Sequence, residues 1–151
     1  MSINYTLVSG PRGGLSFDFV PSHDSNYNFD RYSEDRKGSD VFSIKENAFL
    51  FLEKAIVEAY PDWIKGYYHW GVCYLPTETW LIIFENFRAL RFDIRAGIHP
   101  KRLLEKHVPY RGLLMYPGRL NRKALLNFLD RFEHTARDLL TRYPYLVIGG
   151  I

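Results

Sequence analysis

Residues 68–96, YHWGVCYLPTETWLIIFENFRALRFDIRA, contain the strongest strand pattern of the chain. From Ala89 to Ala96, apolar side chains alternate with charged ones. Successive side chains of a β-strand point to opposite faces, so this alternation predicts a strand with one buried and one exposed face. Two further strands are predicted over Tyr68–Leu75 and Thr79–Phe87, joined by a short turn. In an alternative interpretation, residues 79–96 form one long bent strand.

Two main helices are predicted on either side of this segment. Ser43 and Glu46 have the spacing of a capping box, in which a hydroxyl and a carboxylate satisfy free N–H groups at a helix start. The first helix is therefore expected over residues 43–60, where a proline follows. Asn121 is the expected N-cap of the second helix, over residues 121–143, which also ends at a proline.

The remaining elements are shorter. Strands are predicted over Ile3–Val8 and Leu15–Val20, around a turn rich in Gly and Pro. The polar stretch Pro21–Asp40 is expected to be a long loop. A short helix is predicted over Pro100–His107, with proline in its first turn. Tyr145–Ile148 is expected to add an edge strand.

Together these elements predict the α+β class, with a single domain over residues 1–151. We expect an antiparallel sheet of about four to five strands, flanked by the two main helices near 43–60 and 121–143. The length fits one hydrophobic core. The chain has 11 Phe, 11 Tyr and 3 Trp, and we expect most of these rings in the core.

Charge is unevenly distributed along the chain. Residues 1–100 contain ten Lys/Arg and thirteen Asp/Glu, a net charge of −3. Residues 101–151 contain ten Lys/Arg and four Asp/Glu, a net charge of +6, and the two parts sum to the overall +3. Such an asymmetric field steers encounter with a charged partner. The distribution therefore indicates binding.

Three surfaces are candidates for that binding. The first is the predicted loop Pro21–Asp40, which is rich in acidic residues, the second is the ring-rich segment 63–70, and the third is the charged face of the predicted strand 89–96. Consecutive rings on a strand cannot all enter one core, so at least one ring of the second surface is expected near solvent. The alternative is that these rings form a smaller hydrophobic cluster. The candidate partner-binding residues are Asp24, Asp30, Glu34, Asp35, Tyr67, Tyr68, Trp70, Arg91 and Arg95.

Residue patterns typical of catalysis or metal binding are absent from the sequence. Its five His and one Cys form neither H-E-x-x-H nor C-x-x-C. The lone Cys73 lies in an apolar run and is expected to be a buried, unreactive thiol. We expect no enzyme activity, no cofactor and no metal. The sequence shows no signal-peptide pattern, and its apolar runs are far shorter than the ~20 residues of a membrane span. We therefore expect a cytoplasmic protein that does not contact a membrane.

Nucleic acid is a second possible partner. Arg88, Arg91 and Arg95 are followed by many basic residues in the last third of the chain, and rings are frequent throughout. Arginine and lysine neutralise phosphates, and aromatic rings stack on unpaired bases. The additional basic residues are Lys101, Arg102, Lys106, Arg111, Arg119, Arg122 and Lys123.

The chain resembles bacterial immunity proteins of polymorphic-toxin and contact-dependent growth inhibition systems. It shares with them a small α+β domain, many aromatic residues, a polar loop and the lack of a catalytic motif. The resemblance implies stoichiometric binding that blocks a toxin or effector domain sterically, with complementary charge and without turnover. Inhibitors in this class are often acidic, whereas this chain has a pI near 9.0. The resemblance transfers no site residues.

Overall fold

The computed structural model describes residues 3–24, 29–66, 68–108 and 120–150. Their strands form a five-stranded antiparallel sheet in the order β1-β3-β2-β5-β4. The strands are β1 (Val8–Ser9), β2 (Ser16–Ser22), β3 (Phe42–Lys45), β4 (Val72–Pro76) and β5 (Tyr145–Gly149). With its helices, this sheet confirms the predicted α+β class.

The helices differ greatly in length. Two have 19 residues each, α4 and α6, whereas α3 is a single turn. The helices are α1 (Phe29–Asp35), α2 (Glu46–Ala59), α3 (Asp62–Lys65), α4 (Thr77–Arg95), α5 (Pro100–His107) and α6 (Arg122–Leu140). A 3₁₀ turn at Tyr68–Trp70 precedes β4.

The two faces of the sheet bury different residues. Phe17 and Phe19 of β2 belong to the main core, which also contains residues of α2, α4 and α6. On the opposite face, Val20 of β2 and Val147 of β5 pack with Tyr32 of α1. This period of two follows from the pleat of the strands. One face is thus covered by long helices and the other by the short α1.

Stacked and edge-on rings fill the main core. Phe19 has Phe42 and Phe132 at centroid distances of 4.9 Å each, one stacked and one edge-on. The indole N–H of Trp80 on α4 donates to the carbonyl of Leu146 at 3.0 Å, which joins this helix to β5. Aromatic pairs of these geometries stabilise a core beyond the area they bury.

The strands predicted over Thr79–Phe87 and Ala89–Ala96 are wrong, as is their alternative of one bent strand. Both segments belong to the single helix α4. Ile83, Phe87 and Leu90 recur at helical spacing and are buried. Apolar residues alternate with charged ones here because the outward-facing Phe92 lies midway between the buried Leu90 and Ile94.

The predicted capping box and the predicted long loop also need correction. Ser43 lies within β3, opposite Asp18 of β2, and the helix begins only at Glu46 because the strand continues directly into it. The expected loop over Pro21–Asp40 contains the end of β2 and all of α1.

Predictions for the chain's C-terminal half mostly hold. The helix over Pro100–His107 is confirmed, and the Asn121 side chain accepts a hydrogen bond from the Ala124 N–H at 3.0 Å, as expected of an N-cap. The strand predicted over Tyr145–Ile148 exists as β5, but it is not an edge strand. It lies between β2 and β4.

Candidate functional site

Helix α4 exposes an unusually apolar outer side. It packs one side into the main core, and helical spacing places Leu81, Arg88 and Arg95 on the other. Leu81 and Ile82 are 48% and 51% exposed, and Phe92 is 72% exposed. Large exposed apolar side chains grouped on one helix mark interaction surfaces more often than singly scattered ones do.

This exposed side continues onto the start of α5. A shallow cavity of about 420 Å³ is lined by Arg88, Phe92 and Arg95, and a second of about 520 Å³ by Ile98, His99 and Arg102 with their neighbours. We call the combined region the α4–α5 surface. It comprises Leu81, Ile82, Arg88, Phe92, Arg95, Ile98, His99 and Arg102.

The positive charges of this region are only partly balanced within the chain. Arg88 forms an ion pair with Glu85 at 2.6 Å. Across the described ranges, no acidic side chain lies within ion-pair distance of Arg95, Lys101 or Arg102. The C-terminal end of α4 and the first turn of α5 therefore carry uncompensated positive charge beside the exposed ring of Phe92.

Arg91 and Arg95, predicted together on one strand face, lie on helix α4 and differ in role. Arg91 donates to Asp130 at 3.1 Å and to Glu133 at 3.0 Å, both on α6, and its side chain is only 14% exposed. It therefore joins the two long helices. Arg95 is exposed at the end of α4 and belongs to the α4–α5 surface.

The predicted acidic surface is largely bound within the fold. Asp35 accepts a hydrogen bond from the Ser22 hydroxyl at 3.1 Å and pairs with Arg31 at 3.4 Å. Glu34 pairs with Lys37 at 3.0 Å.

The other acids nearby differ in their surroundings. Asp40 lies 3.2 Å from Arg142 of the basic C-terminal third. An acid of the net-negative part of the chain is therefore paired with a base of the net-positive part. Asp30 is exposed in the first turn of α1, and Asp24 is half-buried beyond β2.

The ring-rich segment divides between core and surface. Trp63 is buried, with its ring tilted against that of Phe49 at a centroid distance of 5.7 Å. Tyr68 is half-buried against Trp63, at a centroid distance of 5.3 Å. Trp70 is 73% exposed, which confirms that at least one ring lies near solvent. Tyr67 lies outside the described residues, as do Arg111 and Arg119 of the basic set.

The candidates from sequence missed Leu81, Ile82 and Phe92. The strand assignment had placed Phe92 on the buried side. The signal that could have found them was the recurrence of buried Ile83, Phe87, Leu90 and Ile94 at intervals of three and four, which leaves these three residues on the outside.

Comparison with known proteins yields no relative: no protein-family model, no curated protein and no solved structure matches the chain. Within the described ranges, no three His, Cys, Asp or Glu side chains are grouped so that they could hold a metal ion. Among the described helices, none has the length and apolarity needed to cross a membrane.

Proposed function

We propose that this chain is a non-catalytic, cytoplasmic binding protein that neutralises an acidic toxin or effector domain by covering it with the α4–α5 surface. The observation that carries the proposal is the exposed ring of Phe92 beside Arg95, whose charge no described residue balances. Aromatic and arginine side chains are the residues most enriched at the energetic centres of protein interfaces.

The apolar part of the surface supplies the affinity. Burying one ring such as Phe92 contributes about 1.5–3 kcal/mol. Leu81 and Ile82 extend the apolar area along the same helix. A partner with a complementary hollow would therefore gain more from this face than from an ordinary polar helix.

The charge of the α4–α5 surface determines the sign of the charge that its partner must carry. Glu34, Asp35 and Asp40 are paired within the chain, whereas Arg95 and Arg102 have no acidic partner among the described residues. The side chains left to meet another molecule are thus mainly basic. The matching partner surface is acidic, and this accounts for an inhibitor with a pI near 9.0.

A protein fits this surface better than a nucleic acid does. Leu81 and Ile82 are aliphatic and offer no stacking platform, and Glu85 and Glu105 lie within or beside the same region. A polyanion would be repelled by these carboxylates, whereas a protein partner can pair with both signs of charge. Binding of RNA or DNA through the arginines and Phe92 remains the competing outcome of the experiment below.

In the first step, a photo-crosslinking amino acid replaces Phe92 in the protein produced in its source organism. The crosslinked product then identifies the molecule bound at this position. The purified partner is then titrated against wild type, Phe92→Ala and Arg95→Glu. We expect affinity losses of about thirtyfold for Phe92→Ala, since one ring contributes about 2 kcal/mol. Cells that produce the partner should survive with the wild type and die with either variant.

Lys37→Glu provides the matched control, because Lys37 is also exposed and basic but lies far along the chain, beside α1. It should bind the partner like wild type. Rising salt should slow association of the wild type more than it speeds dissociation. The proposal fails if neither Phe92→Ala nor Arg95→Glu weakens binding, or if the crosslinked molecule is a nucleic acid whose affinity falls linearly with the logarithm of salt.

A further inference from the structure

A separate cavity of about 360 Å³ lies on the opposite face of the sheet, beside α1. Its polar wall includes Arg12, Ser16 and Asp18 from β2 and the segment before it, and Arg36 just after α1. Trp70 stands at its rim, 73% exposed. The volume falls within the range of about 300–1,000 Å³ that is typical of small-molecule sites.

A buried carboxylate organises the polar wall. Asp18 is 4% exposed, and it accepts hydrogen bonds from the Arg36 Nε at 2.6 Å and from the backbone N–H of Arg12 at 3.3 Å. Burial raises the pKa of Asp18, and the contacts with Arg12 and Arg36 oppose that shift. The carboxylate orients Arg36 while using only one of its nitrogens.

Hydrogen-bond donors remain unused on both guanidinium groups. The Nη1 atom of Arg12 is buried and donates to no described residue. The only described partner of the Arg36 side chain is Asp18, which binds Nε. Because Arg12 and Arg36 both line the cavity, this wall offers two positive charges and guanidinium N–H donors to an added oxyanion. Arginine binds phosphate or carboxylate through two parallel N–H groups.

The rim of the cavity provides a flat apolar platform. The indole of Trp70 follows His69 in the 3₁₀ turn, and the buried carboxylate of Glu53 holds the ring of His69. This contact fixes the turn while Trp70 extends to the opposite side. Indole rings stack well on planar unsaturated rings.

We propose that this cavity binds a small anion that carries a flat ring, of the nucleoside monophosphate class. Arg12 and Arg36 hold the oxyanion, and Trp70 stacks on the ring. The site is independent of the α4–α5 surface, so either can be present without the other.

The test uses isothermal titration calorimetry with AMP, UMP, adenosine and inorganic phosphate as probes. We expect saturable binding of at least one nucleotide at millimolar concentration or below, and much weaker binding of adenosine and of phosphate alone. Arg12→Gln should weaken nucleotide binding about tenfold, because it removes the charged donor but keeps the backbone N–H that Asp18 accepts. Trp70→Ala should weaken nucleotide binding but leave phosphate binding unchanged.

Arg131→Gln, at an exposed position of α6 outside both surfaces, is the control and should bind the nucleotide like wild type. Thermal unfolding of each variant verifies that it is folded. The proposal is overturned if the wild type binds neither nucleotide, or if Arg12→Gln and Trp70→Ala, both folded, bind as wild type does. Equal binding of phosphate and nucleotide, with no effect of Trp70→Ala, would also overturn it, since the ring would then have no role.

Discussion

Replacing Glu53 by glutamine should reveal how strongly one buried carboxylate stabilises this fold. Glu53 lies on α2 and is fully buried. Its Oε1 atom accepts a hydrogen bond from the Trp63 indole N–H at 2.9 Å and also contacts the Nε2 atom of His69. The residue thus joins α2 to α3 and to the 3₁₀ turn that carries Trp70.

The expected loss follows from these contacts. A hydrogen bond to a charged group contributes about 1 kcal/mol more than a neutral one, and Glu53→Gln weakens two of them. The new amide N–H₂ group also occupies the position of Oε2, which has no described hydrogen-bond partner, at a cost of about 1 kcal/mol or more. The free energy of unfolding should therefore fall by about 3 kcal/mol. For a chain of this length, that lowers Tm by about 6–12 °C.

The loss should also depend on pH. The hydrogen bond with Glu53 raises the pKa of His69, against the effect of burial. A histidine whose pKa is raised on folding stabilises the folded state at pH values below its pKa in the unfolded chain, about 6.5. This stabilisation is lost as the pH rises through its pKa in the folded protein. The difference between wild type and Glu53→Gln should therefore be larger near about pH 6 than near about pH 9. Burial lowers the pKa of His107, but this occurs in both proteins and cancels.

Urea unfolding followed by circular dichroism at the two pH values measures this difference. Glu58→Gln is the matched control, since Glu58 lies on the same helix and forms an exposed ion pair with Lys54 at 3.2 Å. It should change the free energy of unfolding by no more than about 0.5 kcal/mol. Our reasoning is refuted if Glu53→Gln loses no more than this control, or if its loss is the same at both pH values.

Three further substitutions test other parts of the fold. Hydrogen bonds from Lys106 and His107 of α5 lower the pKa of Asp93. The stabilisation by Asp93 is therefore complete above about pH 3.9 and lost as the pH falls further, and Asp93→Asn should cost about 3 kcal/mol at neutral pH and flatten acid unfolding curves. Asn121→Ala removes an N-cap and should cost about 1 kcal/mol in urea unfolding, whereas Asn121→Ser should cost little. Gly150→Ala would place a Cβ against the backbone carbonyl of His69, and should lower stability by about 1–3 kcal/mol in thermal unfolding, whereas Gly13→Ala, with open space around it, should not.

Helix α4 shows why one part of the fold could not be assigned from local pattern. Leu90 and Ile94 are spaced both as alternate strand residues and as neighbours one helical turn apart. The two interpretations differ in where they place Phe92, and its exposure follows from contacts of α4 with the main core. A buried position for Phe92 looked natural because phenylalanine is usually buried. The same error concealed the α4–α5 surface.

The candidate binding residues show a similar division. An exposed ring in segment 63–70 was expected from strand geometry. Trp70 is indeed exposed, but Tyr68–Trp70 form a 3₁₀ turn and not a strand. Which ring is exposed was not predictable from the segment itself, since the buried Trp63 contacts Phe49 and Glu53 of α2. Arg91 and Arg95 are alike in sequence, but only Arg91 faces Asp130 and Glu133 of α6.

Local sequence was sufficient for the α+β class, the helix at Pro100–His107, the Asn121 cap and the burial of Cys73. The helix and the cap depend on residues within a few positions of one another, whose spacing or chemistry directly favours one backbone conformation. Contacts between distant parts of the chain were needed for the rest. They place β5 inside the sheet, make residues 77–95 a helix and bring Arg142 to Asp40 across 102 positions. Packing and ion pairing of this kind select among arrangements that are locally almost equal in free energy, so they also select which charges and rings remain free to bind.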